Sequence, residues 1–168
     1  MSDLASPASD PATAGSTRFL VVGYGHPEHR DDGIGAQVVA HLAAKDYAHV
    51  TTVAVPSLRP ELSGKLAAAS HVIFVDACKT EATTPVKVTP IAPYGVETSG
   101  SSTPALGHSC DPASLLALTA SVYGRVPQAW WIEVPAVDFG PGQELSSLAQ
   151  AGVAAALAHI EALIQANR

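Results

Sequence analysis

The sequence predicts an α/β fold: a single-domain three-layer α/β/α sandwich, with an about five-stranded, mostly parallel twisted sheet and helices on both faces. Three observations carry this expectation. Short apolar runs alternate with stretches of helical periodicity, the pattern of a parallel sheet covered by its crossover helices. Two of those runs, Phe19-Leu20-Val21-Val22 and Val72-Ile73-Phe74-Val75, are unbroken rather than alternating, as strands buried on both faces are. Finally, 168 residues with 47% hydrophobic and 14% charged content suit one compact domain with a substantial core.

Residues 1–17 are rich in Ala, Ser, Pro, Thr and Asp and lack an apolar stretch. They are expected to form a disordered N-terminal tail, without the basic and apolar regions of a secretory signal. The domain itself is expected to cover 18–168. Its first strand leads through a glycine-rich turn into a helix over 34–46, with Ile34, Val38 and Leu42 on its apolar stripe. Val50 to Val55 is a β-branched run ended by Pro56. A short helix is expected over 60–69, with Pro60 in its first turn and Leu62 and Leu66 facing inward. The run Val72–Val75 then delivers Asp76 at its carboxyl end.

Val86 to Ile91 reads as a further strand, set apart by Pro85 and Pro90. Residues 93–107 are Gly-, Ser-, Thr- and Pro-rich, a long loop of the kind that often carries function, and the loop ends at His108. Asp111-Pro112 has the form of an N-cap followed by proline at the first helical position, opening a helix striped by Leu115, Leu118 and Val122. Ala129 to Val134 is a strand whose Trp130 and Trp131 must point to opposite faces. The last segment, 145–165, carries apolar residues at 153, 156, 157, 160, 163 and 164, an amphipathic helix. There is no internal repeat.

Composition excludes several partners. A net charge of −6 argues against nucleic acid or an anionic membrane surface. No apolar run approaches the roughly 20 residues that span a bilayer. Two cysteines do not make a disulfide framework, so a reducing, cytoplasmic setting is expected.

The chemistry concentrates between Gly23 and Gly35, which reads Gly-Tyr-Gly-His-Pro-Glu-His-Arg-Asp-Asp-Gly-Ile-Gly. A glycine-rich strand-to-helix turn often cradles phosphate. Here Glu28, Asp31 and Asp32 make its mouth acidic, which repels a pyrophosphate and attracts a cation. With His26 and His29 these carboxylates form a dense set of donors for a borderline metal. The alternative is plain: Asp31 or Asp32 caps the helix and complements its dipole. In a parallel sheet, sites form beyond the carboxyl ends of strands where strand order reverses. If the first and third strands are neighbours, this turn and Asp76 open onto one crevice.

Three places resemble a known family. Gly23–Gly35 is similar to the Gly-x-Gly-Asn-x-x-x-x-Asp-(Asp/Glu)-Gly-x-Gly signature of the nickel–iron hydrogenase maturation endopeptidases. Val75-Asp76-Ala77 resembles their second motif, and His108 before an amphipathic helix resembles their third. The resemblance runs from about Arg18 to the final helix. It implies an endopeptidase that removes the C-terminal extension of a hydrogenase large-subunit precursor after nickel insertion. It further implies a monomer with no organic cofactor, recognising nickel carried by the substrate. The family's metal-contacting residues correspond to Asp32, Asp76 and His108, which either grip that nickel or polarise a water for hydrolysis.

The chain departs from the family pattern at His26, where asparagine is usual, and at the additional His29. His26 is a candidate further metal contact, whereas His29 is expected to face solvent. Cys78 and Cys110 each follow a site residue by two positions and are expected to be small buried thiols rather than soft ligands. A nickel-binding accessory protein without protease activity would keep the same ligands. A nucleotide-binding protein would explain the strand–turn–helix but not the acidic turn, with only Arg30 available for phosphate. A serine or cysteine hydrolase lacks its Gly-x-Ser-x-Gly elbow.

Overall fold

The computed structural model describes residues 17–81, 83–93 and 110–168. Its first strand, β1 (Phe19–Tyr24), leads through a 3-10 turn at Arg30–Gly33 into α1 (Ile34–Lys45), and β2 (Val50–Val55) follows. A second 3-10 turn, Pro60–Leu62, opens α2 (Ser63–Ala68), and the chain continues into β3 (His71–Lys79) and β4 (Lys87–Ile91). After it come α3 (Pro112–Tyr123), β5 (Gln128–Ala136) and α4 (Ser147–Ala166). The five strands form one sheet in the order β2-β1-β3-β5-β4. All pairs are parallel except β4 with β5, so the sheet is mostly parallel as expected, with one antiparallel edge. Pro90, which has no N–H to give to a ladder, lies on that edge strand.

The sheet separates two cores. On one face Val21, Ile73, Val75, Ile132 and Val134 pack with Ile34, Val38 and Leu42 of α1 and with Val153, Ala156 and Ile160 of α4. On the other, Leu20, Val22, Val72 and Phe74 pack with Leu66 of α2 and Leu115 and Leu116 of α3. Trp130 belongs to the first core and Trp131 packs against the second, opposite faces as the period of two requires.

Four details differ from the sequence reading. Strand β3 does not stop at Asp76 but continues to Lys79, because pairing with β5 extends the ladder to Lys79–Ala136. Val122, expected on the buried stripe of α3, is 61% exposed, because the buried face runs through Leu115, Leu116 and Thr119 instead. Cys78 is exposed and Cys110 half-buried, so neither is the fully buried thiol expected. And α4, with 20 residues and a mean hydropathy of 1.4, is by length and composition apolar enough to cross a bilayer, a longer apolar segment than the sequence reading recognised. Here its Val153, Ala156 and Ile160 are buried against the sheet.

Candidate active site

The strand order reverses between β1 and β3: β1 leads to β2 on one side, while β3 lies on its other side. Such a switch point leaves a crevice beyond the carboxyl ends of the two strands. The Gly23–Gly35 turn and Asp76 flank it. Two of the turn's glycines are dictated by space. A Cβ on Gly23 would lie 2.1 Å from the carbonyl oxygen of Gly35, where α1 starts against the strand. Gly25 has φ +130° and sits as close to the Asp32 carbonyl, so only glycine lets the chain fold back over the acid.

The two adjacent aspartates go opposite ways. Neither caps α1, whose N-cap is Gly33 with no side-chain hydrogen bond. Asp31 is completely buried. Its Oδ2 accepts the N–H groups of Val137 at 2.9 Å and Asp138 at 3.1 Å and the Ser146 hydroxyl at 2.7 Å, while Oδ1 accepts the Ser146 N–H at 2.7 Å. Around it the 28–31 segment is zipped to the β5–α4 connection through Arg30 N–H to Gly142 O, Gly142 N–H to Glu28 O and Asp31 N–H to Asp138 O. Arg30 adopts a left-handed backbone with φ 49°, and its guanidinium Nε donates to Pro141 O at 3.2 Å and lies 3.6 Å from Asp138. Arg30 is therefore a clamp on that connection and not a phosphate ligand.

Burial pushes the Asp31 carboxyl up, but the donors from Ser146, Val137 and Asp138 outweigh it and hold it below the ordinary range. Asp31→Ala would leave those donors buried without an acceptor. The expected cost is about 3–5 kcal/mol, read as a lowered denaturation midpoint. Because the folded-state affinity for protons is depressed, Asp31 stabilises the fold above the ordinary aspartate range. That contribution fades as pH falls through its lowered value, and the variant should lack this acid-side loss.

Asp32 faces the crevice. Its Oδ2 accepts the His26 N–H at 2.7 Å, which fixes the carboxylate at the lip of a cleft of about 350 Å³. Tyr24, Asp76, Cys110, Asp111 and Trp131 share that cleft, as do Pro56–Leu58 beyond β2. Asp32, Asp76 and Asp111 make the described lining acidic, which disfavours a phosphate there. Asp111 caps α3 by accepting the Ser114 N–H at 2.7 Å, the N-cap expected from the sequence.

Asp76 is half-buried, and its Oδ1 accepts the N–H of Ala77 at 2.8 Å. Burial raises its pKa to about 6, aided by the nearby charges of Asp32 and Glu133, while hydrogen bonds from Tyr24 and the Ala77 N–H oppose the rise. Burial, and after it the Asp76 charge, pushes the Tyr24 phenol far above its usual range, so it stays a donor. The indole N–H of Trp131 lies near enough to Tyr24 to lower that phenol slightly, yet Nε1 is buried with no acceptor at hydrogen-bond geometry.

His26 and His29 are exposed beside the lip, their rings 5.9 Å apart and edge-on, with His26 Nδ1 3.5 Å from Glu28. His29 faces solvent as expected. His108, the third residue singled out in the sequence, lies outside the described residues, as does nearly all of the 1–17 tail. Cys110 lines the cleft, whereas Cys78 lines a separate cavity. Among the described residues, no three His, Cys, Asp or Glu side chains gather closely enough to hold a metal ion.

Tyr24, Trp131 and Glu133 were missed in the sequence, although the signal was present. Alternation from Leu20 and Val22 puts Tyr24 on one sheet face, and alternation from Trp131 puts Glu133 on the same face. Glu133 pairs in register with Asp76 once β5 is placed beside β3.

No protein-family model matches the chain, and no curated protein resembles it in sequence. Solved structures do resemble it. The hydrogenase maturating endopeptidase HybD from E. coli superposes with a TM-score of 0.65 at 22% identity, over 89% of this chain and 93% of its own. A NiFe hydrogenase maturation protease, HycI from Thermococcus kodakarensis, gives 0.64 at 23% identity, covering 92% and 96%. A hydrogenase 2 maturation peptidase from a Thaumarchaeota archaeon gives 0.62 at 23%, covering 88% and 98%. These likenesses establish the fold: one α/β domain on a five-stranded, mostly parallel sheet.

Proposed function

We propose that this chain is an endopeptidase that removes the C-terminal extension of a nickel–iron hydrogenase large-subunit precursor after nickel insertion. The observation that carries this reading is the convergence of Asp32 and Asp76 on one cleft at the switch point. They come from two separate motif positions, on a fold shared with solved maturation peptidases.

In the proposed reaction nickel is part of the substrate. Asp32, Asp76 and His108 contact it and so hold the adjoining peptide bond over the cleft, with His26 at the lip as a candidate further contact. Beside nickel, Asp76 is an ionised carboxylate at neutral pH and can act as the general base. It takes one proton from the attacking water as oxygen adds to the scissile carbonyl carbon. That proton then goes to the departing nitrogen as the C–N bond breaks, leaving a carboxylic acid and an amine, and the acid's remaining proton passes to the amine to give a carboxylate and an ammonium group. Tyr24, held as a neutral phenol, orients the Asp76 carboxylate throughout.

The test is incubation of the protein with nickel-loaded precursor, read as a shortened large subunit on a gel. Asp32→Ala is expected to abolish that product. Loss of its bond from the His26 N–H costs about 1–2 kcal/mol, too little to unfold a domain with a stability of roughly 5–15 kcal/mol. A folded Asp32→Ala protein that processes precursor at the wild-type rate would remove Asp32 from the site.

A further inference from the structure

Two exposed histidines outside the cleft stand together on a backbone that is tied down at both ends. The His29 N–H donates to His26 O at 3.1 Å, which closes the turn from His26 to His29. Pro27 occupies its second position, where the fixed φ of proline suits such a turn. The Asp32 N–H then donates to His29 O at 3.1 Å. From outside, Gly142 N–H donates to Glu28 O at 2.9 Å and Arg30 N–H to Gly142 O at 2.8 Å, with His29 bridged to Gly142. The result places the two imidazoles side by side, their centroids 5.9 Å apart and their planes at 85°.

That spacing suits a shared ion. A metal lies about 2.0–2.1 Å from an imidazole nitrogen, so two rings on one ion have centroids roughly 4.5–6.5 Å apart, depending on the angle between them. Both side chains are exposed and free to turn a nitrogen toward a common point. Their surroundings are negative. Glu28 Oε1 lies 3.5 Å from His26 Nδ1, and the Asp32 carboxylate accepts the His26 N–H at 2.7 Å. Arg30, the cation of this turn, is committed elsewhere, to Pro141 O and Asp138.

We propose that His26 and His29 form a binding site for a free borderline divalent cation of the copper, nickel and zinc class, with water in its remaining positions. The site is separate from the acid cleft and independent of the peptidase reading. The donor set selects the class: imidazole suits copper, nickel and zinc, whereas magnesium and calcium require oxygen ligands. Glu28 acts as a counter-charge and not as a third ligand, in keeping with the absence of three gathered donors among the described residues. Two protein donors make the site a moderate one. Its backbone is already fixed, however, so binding has little left to order.

The experiment titrates the full-length, metal-free protein at neutral pH with copper, nickel, zinc or magnesium chloride alone, read by calorimetry. Wild type is expected to bind copper most tightly, nickel and zinc more weakly, and magnesium not at all. His26→Ala and His29→Ala should each weaken copper binding at least tenfold. Each removes one of two direct donors, and losing even a group that supports a ligand costs roughly 10–100-fold. Glu28→Gln should weaken it by about threefold, the scale of an exposed charge pair. His159→Ala, at an exposed histidine on α4, and Asp76→Asn in the cleft should leave it unchanged. Copper-loaded wild type should show two imidazoles in electron spin-echo modulation, and either single-histidine variant one. Because these side chains are exposed, the metal-free variants should melt with wild type, so lost binding could not come from misfolding. Wild type that binds none of the three metals would overturn the site. So would copper binding that survives both histidine variants, or that Asp76→Asn abolishes.

Discussion

Asp76→Asn is expected to abolish cleavage and, at the same time, to make the protein more stable at neutral and alkaline pH. The carboxyl of Asp76 is raised from an ordinary aspartate value to about 6, first of all by burial. A group whose folded-state pKa exceeds its unfolded value binds its proton more tightly in the folded state. Its ionised form therefore weighs against folding, by nothing below about pH 4 and progressively more up to about pH 6. Above that the penalty is complete, at about 2–3 kcal/mol. Asparagine removes the charge but keeps an oxygen for the N–H of Ala77 and for the Tyr24 hydroxyl. The variant's melting temperature should thus exceed that of wild type by about 5–10 °C at pH 8, and the two should converge near pH 4. A variant that is inactive but no more stable at pH 8 would show that Asp76 is not held in a destabilised form. An active variant would show that it is not a site acid at all.

That expected trade-off bears on what the sequence could reveal. Strand positions were legible because buried parallel strands need continuous apolar runs, and Leu20–Val22 and Val72–Val75 supply them without interruption. The direction of β4 was not legible. Its pattern of apolar residues is the same whichever way it runs, and only its place beyond β5 makes it antiparallel. The continuation of β3 through Ala77, Cys78 and Lys79 was hidden for a similar reason. Those residues have no strand character of their own and are held by the facing residues of β5.

The site was legible in part. The acidic turn and Asp76 announced a crevice because topology forces the ends of β1 and β3 together. Two adjacent aspartates, however, look alike in a sequence. What separates Asp31 from Asp32 is a set of donors more than a hundred residues away, on the connection from Val137 to Ser146. Glu133 was concealed differently: its face followed from Trp131, but its neighbour followed only from the order of strands. In each case the missing information was a long-range pairing that no local pattern encodes.

Nickel itself should gate the reaction. Asp32, Asp76 and His108 offer two carboxylates and one imidazole, an incomplete set for nickel, with no thiolate among them. A complete site is then expected only when the precursor brings nickel with ligands of its own, so that the enzyme reads the metal as part of its substrate. Free enzyme should bind nickel weakly and reversibly in equilibrium dialysis. Nickel-free precursor should be cleaved at least about tenfold more slowly than loaded precursor. His108→Ala removes the one nitrogen donor of the three, and losing a direct donor should cost at least the roughly 10–100-fold in metal affinity that losing a group supporting a ligand does. It should weaken pull-down of loaded precursor by that order while leaving the melting temperature and the poor binding of nickel-free precursor unchanged. Equal cleavage of the two precursor forms by wild type would sink the gating idea. A nickel-free precursor that His108→Ala binds as poorly as it binds the loaded one, and far worse than wild type does, would instead make His108 a contact to the polypeptide rather than to the metal.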